Sequence, residues 1–100
     1  FDEADAGIGG AVAETVGAKF RALGSRCQVL CVTHLAQVAA QGHAHLSVAK
    51  SVDGKETRTH IGVLDAKSRS EELARMLGGV EIDRETRAHA KRMLEKAQAM

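Results

Sequence analysis

One hundred residues make one domain at most, and a formal net charge of +1, with 14 basic residues interleaved among 13 acids, argues against a generally basic nucleic-acid surface. Phe1 and Phe20 are the only aromatic residues, too few for a platform on which single-stranded bases stack. Two cysteines in an apolar run, and no stretch resembling a signal peptide or a membrane span, point to a reduced, cytoplasmic compartment.

The chain opens "FDEADAGIGG". A Phe running straight into acids reads as the end of a strand begun elsewhere, so a fragment of a longer protein is expected. Gly7, Gly9 and Gly10 permit a tight loop. From Ala11 to Leu23 the residues Val12, Val16, Phe20 and Leu23 recur at helical spacing, with Gly24 placed to end the helix in a left-handed conformation. Cys27 to Thr33, "CQVLCVT", is the kind of β-rich apolar run that becomes a strand covered on both faces, and Cys27 and Cys31 read as core residues of it rather than metal ligands. A strand, a crossover helix and a second strand make a parallel α/β unit. Asp2, Glu3, Asp5 and His34 then fall at carboxyl ends of strands, the edge where open α/β sheets bind ligands.

Ala44 to Val52 and Lys55 to Leu64 flank Asp53-Gly54, a dipeptide suited to a type I′ hairpin. A two-residue loop there would set Leu46 opposite Ile61, Ala44 opposite Val63 and Val48 opposite Thr59, gathering the apolar residues on one face. Ser68 and Glu71 form a capping-box pattern before Leu73, Met76 and Leu77, with Gly78-Gly79 as the stop. Asp83 caps a last helix carrying Ala90, Met93, Leu94 and Ala97. There is no internal repeat, low-complexity segment or linker.

A hydrophobic strand ending in Asp-Glu suits metal-assisted phosphate chemistry: Asp2 can hold Mg²⁺, commonly through water, while Glu3 faces the water that attacks the terminal phosphate. The alternative is that the acids merely cap the following turn. His34, at the end of the next strand, could hydrogen-bond a γ-phosphate. Asp2 to Asp5 also spell the motif that names a family of RNA helicases, but there the next strand ends in Ser-Ala-Thr, where this chain has Val32-Thr33-His34.

A strand ending in Asp-Glu, a glycine loop, a helix and a strand ending in His resembles the second half of an ATP-binding-cassette head. "FDEADAGIGGAVAETVG" and "QVLCVTHLAQVAAQGHAHLSVAK" narrow the likeness to the carboxyl-terminal head segment of the RecN family, bacterial DNA-repair ATPases related to the structural-maintenance-of-chromosomes proteins. The resemblance covers nearly the whole chain. It implies an α/β fold, with Asp2 for Mg²⁺, Glu3 as catalytic base, Asp5 in a D-loop at the head-to-head interface and His34 as the γ-phosphate switch. ATP and Mg²⁺ are the implied ligands; the implied partners are a second ATPase head in a homodimer and DNA, with no membrane. The sequence departs from the family pattern at Ala4, where Val is expected, and at Ala36, where Pro is expected.

No Gly-x-x-x-x-Gly-Lys-Ser/Thr stretch occurs in the chain, and neither does the cassette signature. It is therefore expected to be a half-site, inactive alone, and its acids and histidine could equally cap strands in a non-catalytic interaction or dimerisation module. His43 and His45 form a His-x-His pair with no third ligand near in sequence, and read as an exposed loop pair. Gln37 faces either the nucleotide or solvent. Lys91, Arg92 and Lys96 are interleaved with acids and read as a solvated face rather than a DNA contact.

Overall fold

The computed structural model describes residues 9 to 79 and 81 to 99. In chain order these form α1 (Gly10–Gly24), α2 (Ala36–Ala39), β1 (Leu46–Asp53), β2 (Glu56–Val63), α3 (Ala66–Gly78) and α4 (Arg84–Gln98). The strand expected to end at Phe1 lies outside the described residues. Among the described residues no helix is long and apolar enough to cross a membrane.

The core is built mostly from alanine. Ala36 and Ala40 around α2, Leu73 and Ala74 on α3, and Ala90 and Ala97 on α4 are buried together, with Met76, Leu77, Ile82, Met93 and Leu94 packed around them. Small side chains let the helix axes come close, so contact comes from proximity rather than from large interdigitating groups. The expected inward face of α4 is therefore the observed one.

Helix α1 is rotated partway from its expected face, with Val16 and Phe20 half-buried. Its buried residues are Ala13 and Gly17, one turn apart, while Val12 and Leu23 remain 54% and 40% exposed. Gly17 explains the rotation: a Cβ there would lie 2.9 Å from Gln41 Cγ and 3.2 Å from both the Gln37 carbonyl oxygen and Val38 Cα. Gly24 is the last helical residue and not a left-handed stop. The helix runs out through Ser25 in a right-handed conformation, and the amides of Arg26 and Cys27 both donate to the Leu23 carbonyl.

The expected covered strand from Cys27 to Thr33 does not form. Val32 is a single bridge residue in otherwise irregular backbone, Leu30 is 70% exposed and Val32 54%, and Cys27 lies on the surface. A strand buried on both faces needs neighbours beside it and layers above and below. The sheet among the described residues is β1 and β2 alone, antiparallel, and supplies neither. Among the described residues the chain is thus a mixture of helices and one antiparallel hairpin, compatible with part of an α/β fold, and the first strand of the expected parallel pair lies outside them.

That hairpin forms, with a register two residues from the expected one. Leu46 pairs with Val63, Val48 with Ile61, Lys50 with Thr59 and Val52 with Thr57, closing at Asp53 and Glu56. The tip is Gly54-Lys55, and Gly54 takes the positive φ of 63°. Asp53 stays in the strand because glycine carries the left-handed conformation without a steric cost. This register sets Val48 opposite Ile61 and Leu46 opposite Val63, two apolar pairs of branched residues where the expected one had Leu46 with Ile61 alone. A shift of two preserves the faces, so Leu46, Val48, Val52, Ile61 and Val63 still share one side; all are exposed.

Helix α3 begins three residues before the expected capping box. Asp65 is its N-cap, accepting from the Ser68 amide at 2.8 Å, and Glu71 instead pairs with Arg87 of α4 at 3.1 Å. A carboxylate satisfies the orphan amides of a helix start more strongly than a hydroxyl. The stop is as expected, at Gly79 with φ 71°. Asp83 caps α4 as expected, accepting from the Thr86 amide at 2.7 Å.

Candidate functional site

Asp2, Glu3 and Asp5 lie outside the described residues. His34 is exposed at a bend between the irregular segment and α2. The Thr33 hydroxyl accepts from the Leu35 amide at 3.0 Å, and the Leu35 carbonyl accepts from the amides of Val38 at 3.1 Å and Ala39 at 3.0 Å. The bend at His34 is thereby locked onto the first turn of α2. Ala36, where the family pattern has Pro, begins that helix and is buried in the core.

Gln37 is half-buried. Its side-chain amide ends at the first residue of α1: a Cβ on Gly10 would lie 3.4 Å from Gln37 Nε2. The glycine end that follows the acidic block and the segment that carries the histidine are therefore neighbours in space. Gly17 makes this possible by letting α1 and α2 touch along their backbones.

The other end of α2 is gripped by side chains. Arg69 of α3 is 6% exposed, and its Nη2 donates to the carbonyls of Ala39 at 3.0 Å, Ala40 at 3.3 Å and Gly42. Gln98 of α4 donates from Nε2 to Ala40 O at 2.9 Å and Gly42 O at 2.8 Å. Arg21 of α1 donates to Gln41 O at 2.8 Å and to Gln98 Oε1 at 3.4 Å. Carbonyls that a helix end leaves unpaired are thus satisfied from three helices, and the buried guanidinium gains three acceptors at Nη2, while its Nε is buried without a partner. Burial, and then the neighbouring Arg21 charge, pull the Arg69 pKa down.

This grip was missed in the sequence. Its signal was a cation on an apolar stripe, because Arg69 precedes Leu73 and Met76 at helical spacing.

The two loop histidines are not equivalent. His43 is exposed as expected and lies against the end of α1, where a Cβ on Gly24 would be 3.4 Å from its ring. His45 is half-buried, contrary to expectation, and its Nδ1 is buried with no hydrogen-bond partner. Burial holds its pKa below the ordinary histidine value; Arg69 lowers it further, and Glu72 opposes both. Among the described residues no group of three or more His, Cys, Asp or Glu side chains could hold a metal ion. Cys27 is exposed and Cys31 half-buried, so neither is a fully buried core residue. Lys91 and Arg92 are exposed, and Lys96 pairs with Glu14 at 3.7 Å, as a solvated helix face would have them.

No protein-family model matches the chain. Curated relatives do. The chain is 56% identical over 101 residues to the DNA repair protein RecN of Xylella fastidiosa strain Temecula1, which covers all of this chain and 18% of that protein. It is 51% identical over 94 residues to the RecN of Vibrio cholerae serotype O1, covering 94% of this chain and 17% of that one. With the RecN of Streptomyces coelicolor the identity is 46% over 99 residues, covering 99% and 17%. The chain spans less than a fifth of the length of these relatives. It belongs to the RecN family of DNA repair proteins.

Proposed function

We propose that this segment is part of the ATP-binding and hydrolysing head of a RecN protein that repairs DNA double-strand breaks in the cytoplasm. Asp2 holds Mg²⁺, through water, and Glu3 accepts a proton from the attacking water. Asp5 stands in the loop that meets a second head, and His34 donates a hydrogen bond to the terminal phosphate of ATP. The observation that supports the reading is the proximity of Gln37 to Gly10, where an added Cβ would lie 3.4 Å from Gln37 Nε2. It brings the glycine end that follows the acids beside the helix that follows the histidine, as two halves of one nucleotide site require.

The donor set fits such a ligand. Paired carboxylates suit a hard divalent cation, and an exposed imidazole at a bend can turn toward an anion without breaking a core contact. Mg²⁺ would neutralise phosphate charge; the carboxylate of Glu3 and the ring of His34 would orient the water and report the phosphate. The phosphate loop and the cassette signature would come from elsewhere in the RecN protein, consistent with the small share of the relatives that this chain covers.

In the full-length protein, Glu3→Gln should keep Mg²⁺-ATP binding while hydrolysis falls by orders of magnitude and ATP-bound head dimers accumulate. Unchanged turnover at saturating ATP removes Glu3 from catalysis and leaves the non-catalytic interaction module, which the exposed apolar face of the hairpin would serve.

A further inference from the structure

Helix α2 is only four residues long, between a bend at His34 and a turn at Ala40. A single helical turn does not pay its own nucleation cost, so its position has to be imposed by what surrounds it. At its near end the restraint is local, through Thr33 and Leu35. At its far end it comes from distant helices, and the most enclosed of the side chains involved is Arg69, whose donors reach three carbonyls of the turn.

We propose that Arg69 is a positioning residue for nucleotide hydrolysis: by clamping the carbonyls of Ala39, Ala40 and Gly42, it fixes α2, and hence the placement of Gln37 near the glycine end of α1 and of His34 at the bend that leads into α2. The inference rests on the reading of His34 as the γ-phosphate contact. Its role is indirect, through the turn. All three bonds leave from one nitrogen, Nη2, and an arginine suits this because its guanidinium is more weakly hydrated than a lysine ammonium and so is less costly to bury, and because the shorter lysine would not bring its donor to the same point. Gln98 shares two of the same acceptors, Ala40 and Gly42, from the opposite side. The turn is thus held in a vice between α3 and α4, and small shifts of it would be carried along α2 to the histidine. Misplacing a catalytic contact by about 1 Å costs up to roughly a hundredfold in rate.

The test is a double-mutant cycle in the full-length RecN protein that carries this segment, comparing the parent, His34→Ala, Arg69→Lys and the double variant. ATP turnover is normalised to the number of heads that bind nucleotide. Arg69→Lys should lower kcat about tenfold with KM for ATP within about twofold, and should cost nothing further in the His34→Ala background. Should the lysine variant fail to fold, Gln98→Ala removes two of the same bonds without leaving a buried charge, and should show the same pattern at about threefold. An equal loss in both backgrounds, or a loss explained by fewer nucleotide-binding heads, would make Arg69 structural only and overturn the proposal. A normal rate for Arg69→Lys and Gln98→Ala beside a slow His34→Ala overturns Arg69 alone. A normal rate for His34→Ala overturns the reading of His34, and the role of Arg69 with it.

Discussion

Gly17 and Val38 meet backbone to backbone: a Cβ on Gly17 would stand 3.2 Å from Val38 Cα, with Gln41 Cγ nearer still at 2.9 Å. Alanine would gain about 1 kcal/mol of helix propensity at this position. Overpacking against backbone costs typically about 1–3 kcal/mol, so Gly17→Ala is expected to destabilise by about 1 kcal/mol, and more if α2 cannot move. Thermal unfolding followed by circular dichroism should show a lower midpoint. A raised midpoint would mean that α1 and α2 are not in backbone contact.

Stability should also fall between neutral pH and about pH 5, because of His45. Its folded-state pKa lies below the ordinary 6.5, through burial first and then Arg69, against an opposing Glu72. The unfolded chain therefore takes up the proton first, and the folded state loses ground as pH drops through 6.5 toward the folded value. Denaturant midpoints measured from pH 8 to pH 5 should decline, and His45→Gln should flatten that decline. Glu72, Asp65 and Asp83 act in a lower window. Their folded pKa values are depressed by Arg75, Ser68 and Thr86 respectively, so their contributions are present above the unfolded carboxylate range and are lost as pH falls below about 4.

Val48 and Ile61 face each other across the hairpin at 63% and 67% exposure, flanked by Leu46 and Val63. An open apolar face of this kind drives association. The isolated segment should self-associate with rising concentration in light scattering, and Val48→Lys with Ile61→Glu should restore a monomer while keeping a cross-strand ion pair. Equal association of the parent and the double variant would place the sticky surface elsewhere.

Where one residue sets the local geometry, the sequence is a good guide. Asp83 and Gly79 sit where expected because a capping carboxylate and a left-handed glycine each have a single local job. The hairpin faces were legible from alternation, but its register turned on whether Asp53 or Lys55 shared the tip with Gly54, and paired β-branched residues decided that. Tertiary packing was less legible. A search for large apolar residues passes over Ala13 and Gly17, which are buried because they are small. The strand expected at Cys27 to Thr33 was read from composition alone, and composition does not supply the neighbours that a buried strand needs. Arg69 is passed over for the opposite reason: despite its place on the apolar stripe of Leu73 and Met76, an arginine reads as surface until three carbonyls are found around it.

The central claim, that the histidine and the glycine end serve one nucleotide, is tested most directly by a structure of the full-length RecN protein bound to Mg²⁺ and a non-hydrolysable ATP analogue. The account predicts a His34 ring nitrogen within hydrogen-bonding distance, about 3 Å, of a γ-phosphate oxygen, with Asp2 and Glu3 beside the same phosphate and Gln37 still against Gly10. A His34 ring far from every phosphate, with α2 packed as it is here, would contradict it.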